Sequence, residues 1–227
     1  MTPEVIEYPD RAIQAETLAD AVAVALQACI EANKQATLAV AGGSTPATFL
    51  TALGKRDIDW TSVTVLPTDE RWAPPKDDRS NEGMIRDTLM ANGANPQLFS
   101  FWRKGATAVR AAPGLALDLA THLPLDICVL GMGVDMHCAS LFPGGDGMTL
   151  AMADGAPAVA SMLAPGAAEP RVTLSADVLS KSQMHLLIAG DDKRAALDKA
   201  LGTEDTFTAP VAAVLRRCEH ATVHWAP

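Results

Sequence analysis

Apolar residues recur along this chain with two alternating spacings. Between residues 15 and 33 they return every fourth position, which is the spacing of one buried helix face. The run Thr37–Ala41 that follows is short, apolar and closed by a glycine pair, which indicates a buried parallel strand. We expect Ser44 or Thr45 to cap a second helix, with Pro46 in its first turn, where a missing N–H costs nothing.

The same alternation continues to the C-terminus. Further strands are predicted over residues 63–69, 126–130, 171–174, 184–189 and 221–225. Further helices are predicted over residues 80–90, 108–121, 191–201 and 211–217, the first capped by Ser80 or Asn81 and the third by Asp191 or Asp192. Strands that alternate with helices predict an α/β fold, with a Rossmann-like, mostly parallel sheet and helices on both of its faces.

Length and composition indicate a single folded unit. A chain of 227 residues, 48% hydrophobic and 20% charged, fits one α/β domain over residues 1–227. The Ala-, Gly- and Pro-rich stretch from Pro143 to Ala168 interrupts the alternation. We expect it to be a mobile loop or an insertion over the site.

The charge balance narrows the partners. With 18 Lys and Arg against 27 Asp and Glu, the formal charge is −9, so neither nucleic acid nor an anionic membrane is expected to bind. The four cysteines lack metal-site spacing, the N-terminus lacks a signal-peptide pattern, and no apolar run approaches the ~20 residues of a membrane span. We therefore expect a cytoplasmic protein without a metal, a monomer or small homo-oligomer, that binds a small molecule.

Ligands of open α/β sheets collect beyond the carboxyl ends of the strands, and polar residues follow several predicted strands here. The first group is Gly42–Pro46. Its glycines admit a close ligand, and the N–H groups of the next helix favour an anion. An ordinary strand-to-helix turn explains these residues equally well, and the lysine of a Walker turn is missing.

The second group opens a predicted charged loop over residues 69–79. Arg71 can bind a phosphate with two parallel hydrogen bonds, and Asp69 can orient a sugar hydroxyl. A surface cluster of ion pairs is the alternative interpretation.

The third group is Asp135 and His137, two positions apart after the strand 126–130. A nearby carboxylate fixes the tautomer of an imidazole and raises its basicity, as a general base requires. A structural histidine is the alternative. Gly131 and Gly133 alone do not complete a dinucleotide-binding motif.

The fourth group is Arg171, which begins a strand, and Lys193, in the first turn of a helix, where the helix dipole disfavours a cation. A phosphate held between these two cations and the Gly42 turn accounts for both positions. Two solvated basic side chains are the alternative.

Taken together, five stretches resemble the 6-phosphogluconolactonase family, within the wider group that includes glucosamine-6-phosphate deaminase. They are LAVAGGSTP (38–46), LPTDERWAPPKDDRSN (66–81), LGMGVDMHCASLFPGG (130–145), PRVTLS (170–175) and LLIAGDDKRAAL (186–197). The resemblance implies the Rossmann-like fold shared with sugar-phosphate isomerases and CoA-transferases. It also implies hydrolysis of 6-phospho-D-glucono-1,5-lactone to 6-phosphogluconate, in the oxidative pentose phosphate pathway, without a metal or organic cofactor.

The resemblance also implies roles for individual residues. His137 corresponds to the general base of the family, with Asp69 and Asp135 as neighbouring acidic positions. The remaining site residues form a phosphate turn and its basic clamp, which are Gly42, Gly43, Ser44 and Thr45 for the turn and Arg71, Arg171 and Lys193 for the clamp.

Two residues depart from the family pattern. Met136 stands where glycine is usual, and a backbone with positive φ there would cost about 1–3 kcal/mol or displace His137. Cys138 replaces a threonine, and its spacing from His137 does not favour a nucleophile.

Two other functions compete with lactone hydrolysis. A glucosamine-6-phosphate deaminase or sugar-phosphate isomerase needs a further carboxylate, and such relatives carry Glu five residues after the histidine, where this chain has Phe142. A phenyl ring cannot accept a proton, which favours hydrolysis. A non-catalytic sugar-phosphate-binding protein is the other alternative, and Met136 is the residue that favours it.

Overall fold

Short apolar runs form the strands of this protein, and the stretches between them form its helices. In the computed structural model, which describes residues 3–167 and 169–227, the strands are β1 Glu4–Glu7, β2 Ala36–Val40, β3 Val63–Pro67, β4 Asp69–Arg71, β5 Gln97–Leu98, β6 Ile127–Leu130, β7 Val159–Leu163, β8 Pro170–Leu174, β9 Gln183–Ala189 and β10 Ala221–Ala226. The helices in these ranges are α1 Arg11–Asn33, α2 Ser44–Leu53, α3 Asn81–Thr88, α4 Ala108–Leu119, α5 Met148–Ala151, α6 Ala176–Leu179, α7 Asp191–Leu201 and α8 Pro210–Arg217.

The main sheet is parallel, with the strand order β1-β10-β9-β6-β2-β3-β5 in the described ranges. Successive side chains of a strand point to opposite faces, so a fully apolar strand is buried on both. In β2, Leu38 and Val40 pack in the core beside α1 and α2, while Ala39 packs in the core on the opposite face. Helices therefore cover both faces, and the predicted Rossmann-like fold is confirmed.

A second, antiparallel sheet with the order β4-β8-β7 was not predicted. Residues 69–71, expected to open a loop, instead pair with β8, and the strand predicted over 171–174 belongs to this small sheet and not to the parallel one. Three residues are too few to show a strand period, which explains why the sequence pattern missed β4.

The stretch Pro143–Ala168 is also more regular than predicted. It contains α5 and β7, and β7 pairs with β8 along its whole length. The loop prediction is wrong for these elements, because small residues conceal the alternation of buried and half-buried positions in β7. Residue 168 lies outside the described residues. That residues 1–227 form one domain stays a prediction.

Helix starts show which caps the sequence predicted correctly. Ser80 caps α3, since its Oγ accepts a hydrogen bond from Gly83 N at 3.1 Å. The caps predicted for α2 and α7 are wrong, because the capping positions are Gly43 and Gly190, with φ of 107° and 95° and no side-chain cap in the described residues. Only glycine adopts such a backbone at little cost, so the turn geometry decides the residue.

Helix α1 corrects another expectation. By length and composition it is apolar enough to cross a membrane, with a mean hydropathy of 1.3 over its 18-residue window, although no run of that kind was predicted. Its face with Leu18, Val22 and Leu26 is fully buried against the rest of the protein, as in the core helix of a globular fold.

Candidate active site

The carboxyl ends of β9, β6, β2 and β3 lie side by side, and the loops that follow them enclose a cavity of about 260 Å³. Every predicted site residue lines this cavity except Asp135, which lies on the same loop as His137. The lining residues are Ala41, Gly42, Gly43, Ser44, Thr45, Pro46, Asp69, Arg71, Asn81, Gly131, Met132, Gly133, His137, Ala139, Arg171, Leu187 and Lys193. The structure thus brings the four predicted groups together.

The glycine turn places a helix N-terminus at this cavity. Helix α2 begins at Ser44, directly after Gly43, and the first N–H groups of a helix have no partner within it. Together with the helix dipole they give the cavity a partial positive charge. Lys193, in the first turn of α7, adds a full positive charge from another strand end.

Two arginines face each other across the small sheet. Arg71 of β4 and Arg171 of β8 are direct partners in the antiparallel register. Like charges placed directly opposite destabilise a strand pair unless an anion lies between them or beside them. Burial lowers the pKa of Arg171 below its usual value; Asp69 partly offsets this effect, and Arg71 adds to it. The pair is therefore suited to bind a dianionic group such as phosphate.

Neighbouring oxygen atoms fix the orientation of Arg71. Its Nη1 donates to the Arg79 carbonyl at 2.9 Å and to Asn81 Oδ1 at 3.0 Å, neither of which is a carboxylate. Both acceptors are neutral, so they hold the guanidinium without cancelling its charge.

Asn81 is a buried site residue that was predicted only as a helix cap. Its Nδ2 donates to the Asp69 carbonyl at 2.7 Å while its Oδ1 accepts from Arg71. A Cβ on Gly42 would lie 1.9 Å from that Oδ1, so this glycine is required for the close approach of the two loops. In the sequence, the position of Asn81 directly after a charged loop indicates a helix cap, but it does not indicate the contacts of Asn81 with Gly42 and Arg71.

Glu70 holds the start of α3 in place. Its buried carboxylate accepts from Asn81 N and Glu82 N, both at 2.8 Å, and from Ser80 Oγ at 3.0 Å. Burial raises the pKa of Glu70 to about 6, and these hydrogen bonds act in the opposite direction. Glu70 thereby positions Asn81, and through it Arg71.

Asp69 is engaged on both sides. It accepts a hydrogen bond from Ser140 Oγ, and its Oδ2 lies 3.8 Å from Arg171 Nη1. The side chain is nearly fully buried, so its charge serves mainly to balance that of Arg171.

His137 is the half-buried imidazole of the cavity. Its Nδ1 is hydrogen-bonded to Asp135 Oδ1, which leaves Nε2 as the nitrogen available for chemistry. Gly133 makes room for the ring, because a Cβ there would lie 2.2 Å from two imidazole atoms. The Gly133 N–H also donates to the His137 carbonyl at 3.0 Å, which closes the loop.

Met136 adopts the left-handed backbone that glycine would favour, with φ of 67°. Its N–H donates to the Gly133 carbonyl at 3.0 Å, and its carbonyl accepts from Val211 N at 3.2 Å. The side chain is buried in the core, which offsets the backbone cost. Met136 thus adopts the positive φ itself, and His137 lines the cavity.

Two residues that follow His137, Cys138 and Phe142, bear on which chemistry the site supports. Burial raises the pKa of the Cys138 thiol well above its usual value, so this cysteine is not an activated nucleophile. Phe142 lies with its ring centroid 4.3 Å from that of His137. An apolar ring that cannot accept a proton thus lies directly beside the histidine.

Comparison with known proteins agrees with this arrangement. The family described as glucosamine-6-phosphate isomerases/6-phosphogluconolactonase matches residues 9–225. The chain belongs to this family. It is 41% identical over 218 residues to a 6-phosphogluconolactonase of Rhizobium meliloti, covering 94% of each chain. It is 39% identical over 223 residues to a 6-phosphogluconolactonase of Pseudomonas aeruginosa, covering 94% of this chain and 91% of the relative.

A solved structure extends this likeness to the whole fold. The 6-phosphogluconolactonase from Shewanella baltica OS155 superposes with a TM-score of 0.95 at 30% identity, covering 100% of this chain and 98% of that one. The family predicted from the five stretches is therefore confirmed. The roles of individual site residues stay predictions.

Proposed function

We propose that this protein hydrolyses 6-phospho-D-glucono-1,5-lactone to 6-phosphogluconate in the oxidative pentose phosphate pathway. The observation that carries the proposal is the composition of the cavity. An imidazole with a carboxylate partner and a group of cations at a helix N-terminus line the same space. The names of the family and of the relatives support the same activity.

The cationic end binds the phosphate of the substrate. Arg71, Arg171 and Lys193 supply charge, and the turn at Gly43–Thr45 supplies N–H and hydroxyl donors. The phosphate is remote from the lactone carbonyl and takes no part in the bond changes. Its binding energy therefore serves to orient the reacting carbon.

His137 acts as base and then as acid. Its Nε2 takes a proton from water while the water oxygen bonds to the lactone carbonyl carbon, and Asp135 stabilises the imidazolium that forms. As the tetrahedral intermediate collapses, the bond between that carbon and the ring oxygen breaks. The imidazolium returns the proton to the ring oxygen, which becomes a hydroxyl group of the open-chain acid.

The isomerase or deaminase alternative is weaker on structural grounds. That chemistry moves a proton between two carbons and needs a second acid or base beside the histidine. In the described ranges the acidic side chain that lines the cavity is Asp69, and it is engaged by Ser140 and Arg171. Phe142 occupies the space next to His137.

Further features of the proposal follow from composition. The acidic net charge disfavours nucleic acid and anionic membranes as partners, and the four cysteines are free thiols. We infer a cytoplasmic enzyme, monomeric or a small homo-oligomer, that uses neither a metal nor an organic cofactor.

The test is acid release from freshly prepared phosphorylated lactone, with spontaneous opening subtracted and ammonia release from glucosamine 6-phosphate measured in parallel. The wild type should release acid and no ammonia. Arg171→Met should raise KM by about 10- to 100-fold, as expected for a lost charge-assisted hydrogen bond, and should affect unphosphorylated gluconolactone much less.

The matched control is Arg110→Met, which removes an exposed arginine of α4. It should leave KM unchanged. Ammonia release without lactone hydrolysis would contradict the proposed activity, and an unchanged KM in Arg171→Met would contradict the phosphate clamp alone.

A further inference from the structure

Phe142 lies between two side chains of the proposed site. Its ring is tilted by 30° from the plane of the His137 imidazole, and the two ring centroids are 4.3 Å apart. On the Arg171 side, the guanidinium carbon lies 5.0 Å from the centroid of the same ring. One buried phenyl group therefore contacts both the proposed base and one cation of the phosphate clamp.

The backbone around Phe142 is held on both sides. Leu141 N donates to the Cys138 carbonyl at 2.9 Å, and Ala139 has a φ of 47°, so the chain turns back towards His137. Gly145 N then donates to the Phe142 carbonyl at 2.9 Å. Because hydrogen bonds within the turn hold its backbone, the Phe142 ring keeps one position, and His137 and Arg171 both pack against it.

Arg171 has few other contacts that define its orientation. Its nearest carboxylate, Asp69, lies 3.8 Å away, and its Nε is buried without a hydrogen-bond partner among the described residues. A guanidinium within about 6 Å of a ring centroid is attracted to the ring face, so Phe142 is a principal contact of this cation.

His137 is restrained in two different ways. The hydrogen bond between Nδ1 and Asp135 fixes one edge of the imidazole, and the Asp135 side chain is 53% exposed. The close contact with the Phe142 ring limits rotation of the imidazole plane. The direction of Nε2 therefore depends on both contacts.

We propose that Phe142 is a positioning residue that sets the His137 imidazole and the Arg171 guanidinium relative to each other. The inference rests on the proposed lactonase function. Its consequence is that base catalysis depends on how the phosphate is held, since small displacements of reacting groups are costly to the rate.

The test compares ring-free and ring-retaining variants in the lactone assay. Phe142→Leu should lower kcat about tenfold and raise KM several-fold, because the base and the cation both lose their contact surface. Phe142→Tyr keeps the ring and should restore most of both parameters. The matched control is Phe99→Leu, which removes a phenyl group in edge-to-face contact with His122 outside the cavity, and it should leave kcat and KM unaltered.

A second ring-free variant covers the case in which Phe142→Leu fails to fold. Phe142→Met retains apolar volume with a flexible side chain, so the core stays filled while the flat surface is lost. In either ring-free background, Arg171→Met should raise KM by a factor about threefold smaller than in the wild type, since the cation is already displaced.

The outcomes are distinct. Wild-type kcat and KM in a folded ring-free variant would overturn the positioning role while leaving lactone hydrolysis intact. So would losses that Phe142→Tyr does not recover, or additive effects with Arg171→Met. Absence of hydrolysis by the wild type would instead overturn the proposed function.

Discussion

Histidine occurs in two contrasting settings in this protein, beside a carboxylate at His137 and beside a second histidine at His185 and His224. His137 lies at the cavity, 27% exposed, with the carboxylate of Asp135 as its partner. His185 and His224 lie buried in the parallel sheet, with Nδ1 of the first 3.0 Å from Nε2 of the second. The carboxylate stabilises a positive charge on His137, whereas a second imidazole offers no such stabilisation.

The buried pair is part of a network of hydrogen bonds. The Tyr8 hydroxyl lies 2.8 Å from His224 Nδ1, and Gln14 Nε2 donates to the carbonyls of Ile188 and His224, both at 2.8 Å. When both rings are neutral, each of these contacts holds one hydrogen bond, and the tautomers of the two rings set its direction. Burial lowers the pKa of His185 to about 4 and that of His224 to about 3, the latter with a contribution from His185.

The difference shows that access to solvent and the identity of the partner decide what a histidine does. A cavity histidine beside a carboxylate can carry a proton through a reaction. A buried histidine beside another histidine must stay neutral, so it limits the pH range over which the fold is stable.

Removing His137 should produce the largest effect. His137→Ala should lower kcat for lactone hydrolysis by about 10³-fold, within the usual contribution of a general base, because no other imidazole lines the described part of the cavity. Its free energy of unfolding should change little. Initial rates and urea denaturation provide the two measurements.

His122→Ala is the control, since His122 is also half-buried and contacts a phenyl ring, but lies outside the cavity. It should keep wild-type rates. Undiminished hydrolysis by His137→Ala would remove this histidine from the mechanism.

Low pH should destabilise the fold through the buried pair His185 and His224. Below pH 6.5 the unfolded chain binds protons at His185 and His224 that the folded chain does not, so the free energy of unfolding falls as the pH decreases towards about 4. At pH 5 the loss is on the order of 2 kcal/mol per histidine, and above pH 6.5 the pair adds no pH dependence.

Glu70 changes the free energy of unfolding in the opposite direction. Because its folded-state pKa is raised to about 6, the folded chain binds more protons than the unfolded chain as the pH falls, which stabilises the fold. The decisive comparison is therefore between the wild type and His185→Gln, by urea denaturation at pH 7 and pH 5. The loss of stability between these pH values should be smaller in the variant by on the order of 2 kcal/mol. Equal losses in both proteins would show that His185 is not buried in the neutral form.

Asp135→Asn should have the smallest effect of the three. An amide still accepts a hydrogen bond but does not stabilise an imidazolium, so kcat should fall about tenfold, which corresponds to ~1.4 kcal/mol. Asp154→Asn, which alters a surface carboxylate 3.4 Å from Arg217, is the control for charge removal. A loss as large as that of His137→Ala would mean that Asp135 does more than orient and stabilise the imidazole.

The parts of the site that follow apolar strands were predictable from the sequence. Gly43, Asp69 and His137 each come shortly after a buried run, and parallel strands bring their carboxyl ends to one edge of the sheet. Local pattern and one topological rule were sufficient to place these groups together.

The long-range contacts were not predictable in the same way. The pairing of Arg71 with Arg171 joins positions 100 residues apart through a strand of three residues, which is too short to show a period. The contacts of Phe142 with His137 and Arg171, and that between His185 and His224, depend on tertiary packing, which leaves no local spacing in the sequence. The sequence predicts backbone strain at Met136 only if its φ is positive, and the observed φ shows that it is.

The close approach of Gly42 to Asn81 has a consequence for how this site can evolve. Any side chain at position 42 requires Asn81 to be replaced or displaced first, and that change releases the acceptor that orients Arg71. Positions 42 and 81 are therefore epistatic. A substitution at 42 that is harmful alone becomes tolerable only in a background in which Asn81, and with it the orientation of Arg71, has already changed. Libraries that randomise the phosphate turn in isolation will recover glycine at this position, whereas joint libraries over 42, 71 and 81 open routes to a different anion specificity.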